Sequence, residues 1–154
     1  MAELIYGTRI GKQARLRVGC SAIIFDASDR ILLTKRTDNG RWCLPGGGMD
    51  SGESASEAII REVWEETGLQ VEVDRLVGIY TTPHRIVRYA DDNTFQFVAL
   101  SFVAQIIGGE LGLSDETTAY GYFSLAEMAG MDVMEHHIER IEDALKGAAA
   151  ATIK

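Results

Sequence analysis

Three glutamates lie close together in one predicted helix, at Glu62, Glu65 and Glu66. Offsets of three and four residues place side chains on the same face of an α-helix, here within an arc of about 100°. Repulsion between them destabilises the helix, and Glu65 and Glu66 also lie near its carboxyl end, where the helix dipole disfavours anions. A bound divalent cation would reverse this penalty, because hard metal ions such as Mg²⁺ prefer oxygen ligands. The segment therefore predicts a helix that packs through one face and binds metal on another.

Start and stop signals surround these glutamates. Ser54 and Glu57 form an S-x-x-E capping box, which predicts an N-cap at Ser54. Gly68 stands where a left-handed C-cap is expected. Three apolar residues form the predicted packing face: Ile59, Ile60 and Val63. Arg61 could pair with Glu57 or Glu65, each four residues away, and so orient a metal ligand.

The rest of the chain mixes strands with helices and predicts an α+β fold. Strands are expected at 18–25, 30–35, 69–82, 94–107 and 120–123, with a terminal helix over 133–146. The first two strands are predicted to form a hairpin, and residues 91–93 a second hairpin tip. We expect one domain over 18–146, an N-terminal extension over 1–17 that adds an edge or dimer strand, and a flexible tail over 147–154.

Composition narrows the class of protein. The net charge of −8 argues against binding to a nucleic-acid polymer, which requires clustered Lys and Arg. Cys20 and Cys43 fall outside the C-x-x-C spacing of zinc and redox sites, and we interpret them as reduced thiols. No apolar run reaches the roughly 20 residues that span a bilayer, and residues 1–17 lack the apolar core of a signal peptide. We therefore expect a cytoplasmic protein without membrane contact.

The segment from Gly47 to Leu69 resembles the signature of the Nudix hydrolases, the MutT-like proteins. That signature is Gly, five residues, Glu, seven residues, Arg-Glu, an aliphatic residue, any residue, Glu-Glu, any residue, Gly and an aliphatic residue. Every specified position is matched, by Gly47, Glu53, Arg61, Glu62, Val63, Glu65, Glu66, Gly68 and Leu69. The flanking segments 31–36 and 42–45 are also similar to the family's pattern.

The resemblance implies a Nudix fold, a mixed β-sheet sandwiched between α-helices. It also implies hydrolysis of a nucleoside diphosphate linked to another group, with Mg²⁺ or Mn²⁺ as cofactor. Glu62, Glu65, Glu66 and the carbonyl of Gly47 would bind the metal ion. Glu53 and Arg61 would support the catalytic acids. The proton acceptor would be Glu65 or Glu66, with Glu116 as a candidate outside the signature.

The sequence specifies the substrate less closely than it specifies the reaction. Pro83 lies close to the position, about fifteen residues after the signature, where the family's ADP-ribose hydrolases tend to have a proline. The leading hypothesis is therefore hydrolysis of ADP-ribose or a nucleotide sugar. Four residues are candidates for substrate binding: Arg36, Arg41, His84 and Arg85. For each arginine, a surface position or structural ion pair is the alternative.

Two other functions remain open. One is a (d)NTP pyrophosphohydrolase that clears damaged or excess nucleotides. The other is a non-catalytic Nudix module that senses a nucleotide, although such modules usually lose acids from the signature. The chain contains no G-x-x-x-x-G-K-[ST], so a P-loop NTPase is not supported. A homodimer is expected from the resemblance.

Overall fold

Ten strands and three α-helices are formed by residues 3–154, the part of the chain that the computed structural model describes. The strands are β1 (Glu3–Tyr6), β2 (Arg15–Ile23), β3 (Ile31–Arg36), β4 (Trp42–Cys43), β5 (Gly46–Gly48), β6 (Leu69–Tyr80), β7 (Arg85–Arg88), β8 (Thr94–Gly109), β9 (Thr117–Phe123) and β10 (Thr152–Ile153). The helices are α1 (Ala55–Thr67), α2 (Leu125–Met128) and α3 (Glu135–Lys146), with a 3₁₀ turn at Ile10–Gln13.

The larger sheet has seven strands and is organised around β8, the longest of them. β6 pairs antiparallel with one edge of β8, while β2 pairs parallel with the other. The outer edge of β2 carries the glycine strand β5. Strand β7 joins the amino end of β8 through the predicted turn at 91–93 and carries β1 at the edge. Because parallel and antiparallel pairs coexist, the sheet is mixed, as expected.

The smaller sheet contains β3, β4 and β9, with β3 in the centre. The predicted hairpin between the first two long strands is therefore wrong. Strands β2 and β3 belong to different sheets, and only one isolated bridge, Phe25 to Ile31, connects the segments around the turn. The turn residues at 26–29 reverse the chain as predicted, but β2 forms its backbone hydrogen bonds with β8 and not with β3.

Helix α1 begins and ends where the local signals predict. The Ser54 hydroxyl accepts from the Glu57 N–H at 3.2 Å, and the Glu57 carboxylate accepts from the Ser54 N–H at 2.7 Å. Gly68 closes the helix with φ at +76°. Ile59 and Val63 are fully buried, whereas Ile60 is 38% exposed and lies outside the packing face. One side of α1 is thus fixed in the core through Ile59 and Val63.

Replacing Ser54 with alanine is expected to lower the melting temperature by about 2–4 °C. The change removes one half of the capping box, which is typically worth about 1 kcal/mol. Thermal unfolding followed by circular dichroism measures the effect. The matched control is Ser51→Ala, at an exposed turn position before the helix. Equal melting temperatures for the two variants would contradict a stabilising cap.

Helices cover the sheets on two sides, which confirms the predicted α+β sandwich. On one side α1 packs against a cluster that includes Leu32 and Phe102. On the other side α3 packs through Ile141 against a second cluster, with Ile23 and Val103. The site described below lies where β5 meets α1.

The two ends of the chain also join the larger sheet. β1 lies at the edge, and β2 begins at Arg15, three residues before the predicted domain boundary. The tail differs from the flexible segment that was expected, because β10 pairs parallel with β6. The Lys154 ammonium also forms ion pairs with Glu139 and Asp143 at 3.1 and 3.2 Å. Among residues 3–154 no helix is long and apolar enough to cross a membrane.

Candidate active site

The glycine strand β5 and the acidic face of α1 come together at one end of the larger sheet. The Gly46 N–H donates to the Glu66 carboxylate at 3.2 Å. The Glu62 carboxylate lies over Gly47, where a Cβ would be 2.6 Å from both of its oxygens. Only glycine at position 47 permits this approach. The glycine main chain and the carboxylates of Glu62 and Glu66 therefore lie together.

Arg61 connects the carboxylates around this turn. Its guanidinium forms a two-pronged pair with Glu53, at 3.0 Å from Nε and 2.6 Å from Nη2. Nη1 donates to Glu62 at 2.9 Å and to Glu65 at 3.2 Å. The expected pair with Glu57 does not form, because the Glu57 carboxylate caps the helix amino terminus instead. Arg61 thus aligns the acids of α1 with the loop that precedes it.

Burial separates the acids into different environments. Glu66 is only 6% exposed, and its burial raises its pKa to about 8, with nearby Glu62 and Glu116 adding to the rise. Burial also raises the pKa of Glu62. Hydrogen bonds from Arg61 lower the pKa of Glu53 to about 2. The Glu65 side chain is 54% exposed and contacts only one prong of Arg61, so water reaches it.

The donor atoms at this site have the chemistry that a divalent cation requires. These donors are oxygen atoms, which hard cations prefer, and the missing Cβ at Gly47 leaves space beside the Glu62 carboxylate. The buried carboxylate of Glu66 forms no ion pair among the described residues, although Arg36 lies near enough to lower its pKa, and a bound cation would offset its burial. Within residues 3–154 no three acids, histidines or cysteines already converge as a metal cluster. Arg61 holds Glu62 and Glu65, so metal binding competes with these ion pairs.

A cavity of about 310 Å³ opens beside the glycine strand. Its lining contains five arginines and no aspartate or glutamate, in a chain whose net charge is −8. The arginines are Arg17, Arg36, Arg41, Arg85 and Arg140. Phe97 and Tyr89 add aromatic surface. The lining is therefore positive and suits an anionic ligand with a planar group.

Two of the predicted substrate-binding arginines are engaged in ion pairs. Arg36 pairs with Asp38 at 2.8 Å. Arg41 pairs with Asp132 at 3.0 Å and with Glu135 at 2.9 Å. Both arginines also line the cavity, so each of them forms structural ion pairs and faces the cavity at the same time.

The other predicted residues are divided between the cavity and its surroundings. Arg85 lines the cavity, whereas His84 is outside its lining and accepts from the Arg9 N–H at 2.9 Å. The structure therefore differs from the prediction that His84 lines the cleft. Glu116 is exposed in the loop before β9, where its carbonyl accepts from the Thr37 N–H. It lies near enough to Glu66 to raise the pKa of that acid.

Sequence reasoning missed Arg17 and Arg140. The Arg17 guanidinium lies beside Gly48, where a Cβ would be 2.6 Å from Nη2, and 5.4 Å from the centre of the Phe95 ring. Arg140 is 6% exposed on α3. A signal for Arg140 was present, because it falls at helical spacing between His137, three residues before it, and Ala144, four residues after it.

The comparisons with known proteins agree with this geometry. A MutT-like protein of Streptomyces ambofaciens is 36% identical over 131 residues, which cover 85% of this chain and 78% of that protein. An ADP-ribose pyrophosphatase of Methanocaldococcus jannaschii is 37% identical over 105 residues, or 66% of this chain and 59% of that protein. The crystal structure of an ADP-ribose pyrophosphatase from Streptococcus suis has a TM-score of 0.65 and 25% identity, covering 89% of this chain and 96% of that one.

The matched region contains the whole candidate site. The family model described as NUDIX domain matches residues 15–143. This range includes the glycine strand, helix α1 and the five arginines of the cavity. The predicted resemblance is confirmed, and the chain belongs to the Nudix family.

Proposed function

We propose that this Nudix pyrophosphohydrolase cleaves the diphosphate linkage of a nucleoside diphosphate derivative of the ADP-ribose or nucleotide-sugar type. The observation that carries the proposal is the position of the acidic face of α1. It lies against the glycine strand, beside a cavity lined by arginines. The diphosphate would lie between the acids and the arginines. The similarity to the ADP-ribose pyrophosphatases of Methanocaldococcus jannaschii and Streptococcus suis supports this substrate class.

Glu62, Glu65, Glu66 and the Gly47 carbonyl are the proposed ligands of Mg²⁺ or Mn²⁺. When bound, the cation would neutralise phosphoryl oxygens and lower the pKa of a water molecule. The Gly46 N–H holds the Glu66 carboxylate in place. Arg61 and Glu53 restrict the other two side chains through their shared ion pairs. These residues position the donors before substrate arrives.

Glu65 is the proposed proton acceptor. Its side chain is 54% exposed, while Glu66 is buried and already accepts from the Gly46 N–H. An acceptor for a proton from water needs access to water, which Glu65 has. Glu116 is the second candidate, because it is exposed at the same end of the site.

In the cavity, Arg17 is the proposed contact to the diphosphate, and Arg85 is the proposed contact to the group attached to it. Arg17 lies next to the backbone of Gly48, and neither arginine has an ion-pair partner in the described residues. Arginine binds phosphate through two parallel hydrogen bonds, which fix orientation as well as charge. Arg36 and Arg41 are the proposed supports of the cavity wall, since their own carboxylate partners hold them.

A nucleotide panel with purified protein tests the substrate class. We expect turnover of ADP-ribose or a nucleotide sugar with Mg²⁺ or Mn²⁺ added, and loss of turnover when EDTA removes the cation. Chromatography of the products distinguishes AMP release from release of pyrophosphate. Pyrophosphate release from a triphosphate, without cleavage of diphosphate compounds, would favour the (d)NTP pyrophosphohydrolase. No turnover of any compound by a protein that binds the cation would contradict both functions.

A further inference from the structure

Arg140 is a buried cation without a carboxylate partner. Its Nη1 donates to the Ser21 hydroxyl at 3.3 Å, its Nε has no hydrogen-bond partner, and its guanidinium lies 5.4 Å from the centre of the Tyr80 ring. No ion pair of Arg140 occurs within residues 3–154. Burying a charge without pairing it is costly, because the lost hydration is not replaced.

Two further polar groups meet Arg140 at the same place. Arg85 and His136 line the main cavity together with Arg140, and all three also line a smaller adjoining cavity of about 160 Å³. The Nδ1 atom of His136 is buried without a partner. Glu139 lines the smaller cavity but pairs with Lys154 at 3.1 Å. This end of the cavity therefore combines an unpaired guanidinium N–H, an unpaired histidine nitrogen and the positive charge of two arginines.

We propose that Arg140 and Arg85 bind an anionic group of the substrate that is separate from the scissile diphosphate. The inference rests on the proposed function and narrows its substrate class. The substrate would carry a phosphate or carboxylate on its sugar or leaving group. That anion reaches the end of the cavity where Arg140 donates to Ser21, while Arg17 lies four residues away along β2, beside Gly48.

An anion explains the arrangement better than a neutral ring does. The carbonyl oxygens of a base would satisfy the donors but leave two guanidinium charges uncompensated in a partly closed site. A phosphate or carboxylate satisfies the donors and the charge together, through charge-assisted hydrogen bonds. The aromatic residues Phe97 and Tyr89 remain available for the planar part of the same ligand.

Inorganic phosphate tests the site without any cation or turnover. In EDTA, we expect phosphate to raise the melting temperature of the native protein and to raise that of Arg140→Met by less than half as much. The matched control is Arg30→Met, which removes an exposed arginine that pairs with Asp26 far from the cavity lining. A full phosphate response in Arg140→Met, or none in the native protein, would overturn the proposal.

The melting temperature measured without phosphate distinguishes a ligand-binding role of Arg140 from a structural role. Methionine has a similar volume and carries no charge, so Arg140→Met should be at least as stable as the native protein. A folded Arg140→Met protein that is much less stable than the native protein, while keeping the full phosphate response, would show a structural role for Arg140 and overturn the proposal. If that variant does not fold, Arg85→Gln on β7, which is half-buried, provides the same phosphate comparison.

Matched substrates then identify the anion. We expect kcat/KM to be at least about tenfold higher for UDP-glucuronate than for UDP-glucose, or for the 2′-phosphate of ADP-ribose than for ADP-ribose itself. In Arg140→Met the ratio should fall to about one. Equal cleavage of both members by the native protein would overturn this inference and leave the proposed function intact. Cleavage of neither would contradict the proposed function, and the phosphate response would still decide the anion site.

Discussion

Replacing Glu65 with glutamine is expected to lower kcat/KM by a factor of about 100 or more. Glutamine keeps the size of the side chain but removes the negative charge proposed to bind a cation and the basic oxygen proposed to accept a proton. Because Glu65 is half-exposed and shares only one prong of Arg61, the fold should be nearly unaffected. Steady-state kinetics with Mg²⁺ and thermal unfolding together measure the two quantities.

The matched control for this substitution is Glu72→Gln. Glu72 is an exposed acid on β6 that makes no ion pair within the described residues. The Glu72→Gln variant should keep full activity, since the substitution removes the same charge from a position outside the site. Unchanged activity in Glu65→Gln would contradict the proposed role. Glutamine substitutions at Glu66 and at Glu116 would then identify which residue is the proton acceptor.

Replacing Gly47 with alanine should have the second-largest effect, a loss of about 10- to 100-fold in activity. The new Cβ would lie 2.6 Å from both oxygens of the Glu62 carboxylate, which has to move away. Glu62 would then no longer lie over the main chain of Gly47. Because the clash is with the end of a flexible side chain, the protein should still fold. Activity and Mn²⁺ affinity, measured by titration, should fall together.

Gly112→Ala is the control for this prediction. A Cβ at Gly112 would have no heavy atom within 4 Å, so both activity and stability should stay at the native level. Full activity and unchanged Mn²⁺ affinity in Gly47→Ala would show that the close approach of Glu62 to the glycine has no function. A comparison with Gly46→Ala is informative, because a Cβ there would meet the backbone of Cys20 and should impair folding.

Local signals made helix α1 predictable from sequence. The capping box, the apolar spacing and Gly68 all act within about fifteen residues, and each is satisfied inside that segment. Arg61 shows where local reasoning fails. Helical spacing allowed a pair with Glu57, but that carboxylate already caps the helix, and Glu53 from the preceding loop takes its place.

Partners far apart in sequence could not be predicted in this way. Strand β3 follows β2 after a tight turn, yet β2 pairs with β8, because hydrophobic patterns do not specify which strand is the neighbour. The cavity is likewise formed by residues that lie far apart in the sequence. Arg17 and Arg140 are 123 positions apart, and only the folded sheet and α3 bring them to one lining. Charge in the apolar face of a helix was the only trace of Arg140 in the sequence.

The parallel pairing of β2 with β8 also bears on how the site is assembled during synthesis. Arg15 pairs with Phe95 and Ile23 with Val103, so each contact closes a loop of 80 residues. Such contacts form slowly, because the entropy of the intervening chain is lost before the ladder stabilises the product. Helix α1 is complete long before β8 leaves the ribosome. Among the described strands, the glycine strand pairs with β2 alone, and until β8 arrives the other edge of β2 is open to pairing with other chains.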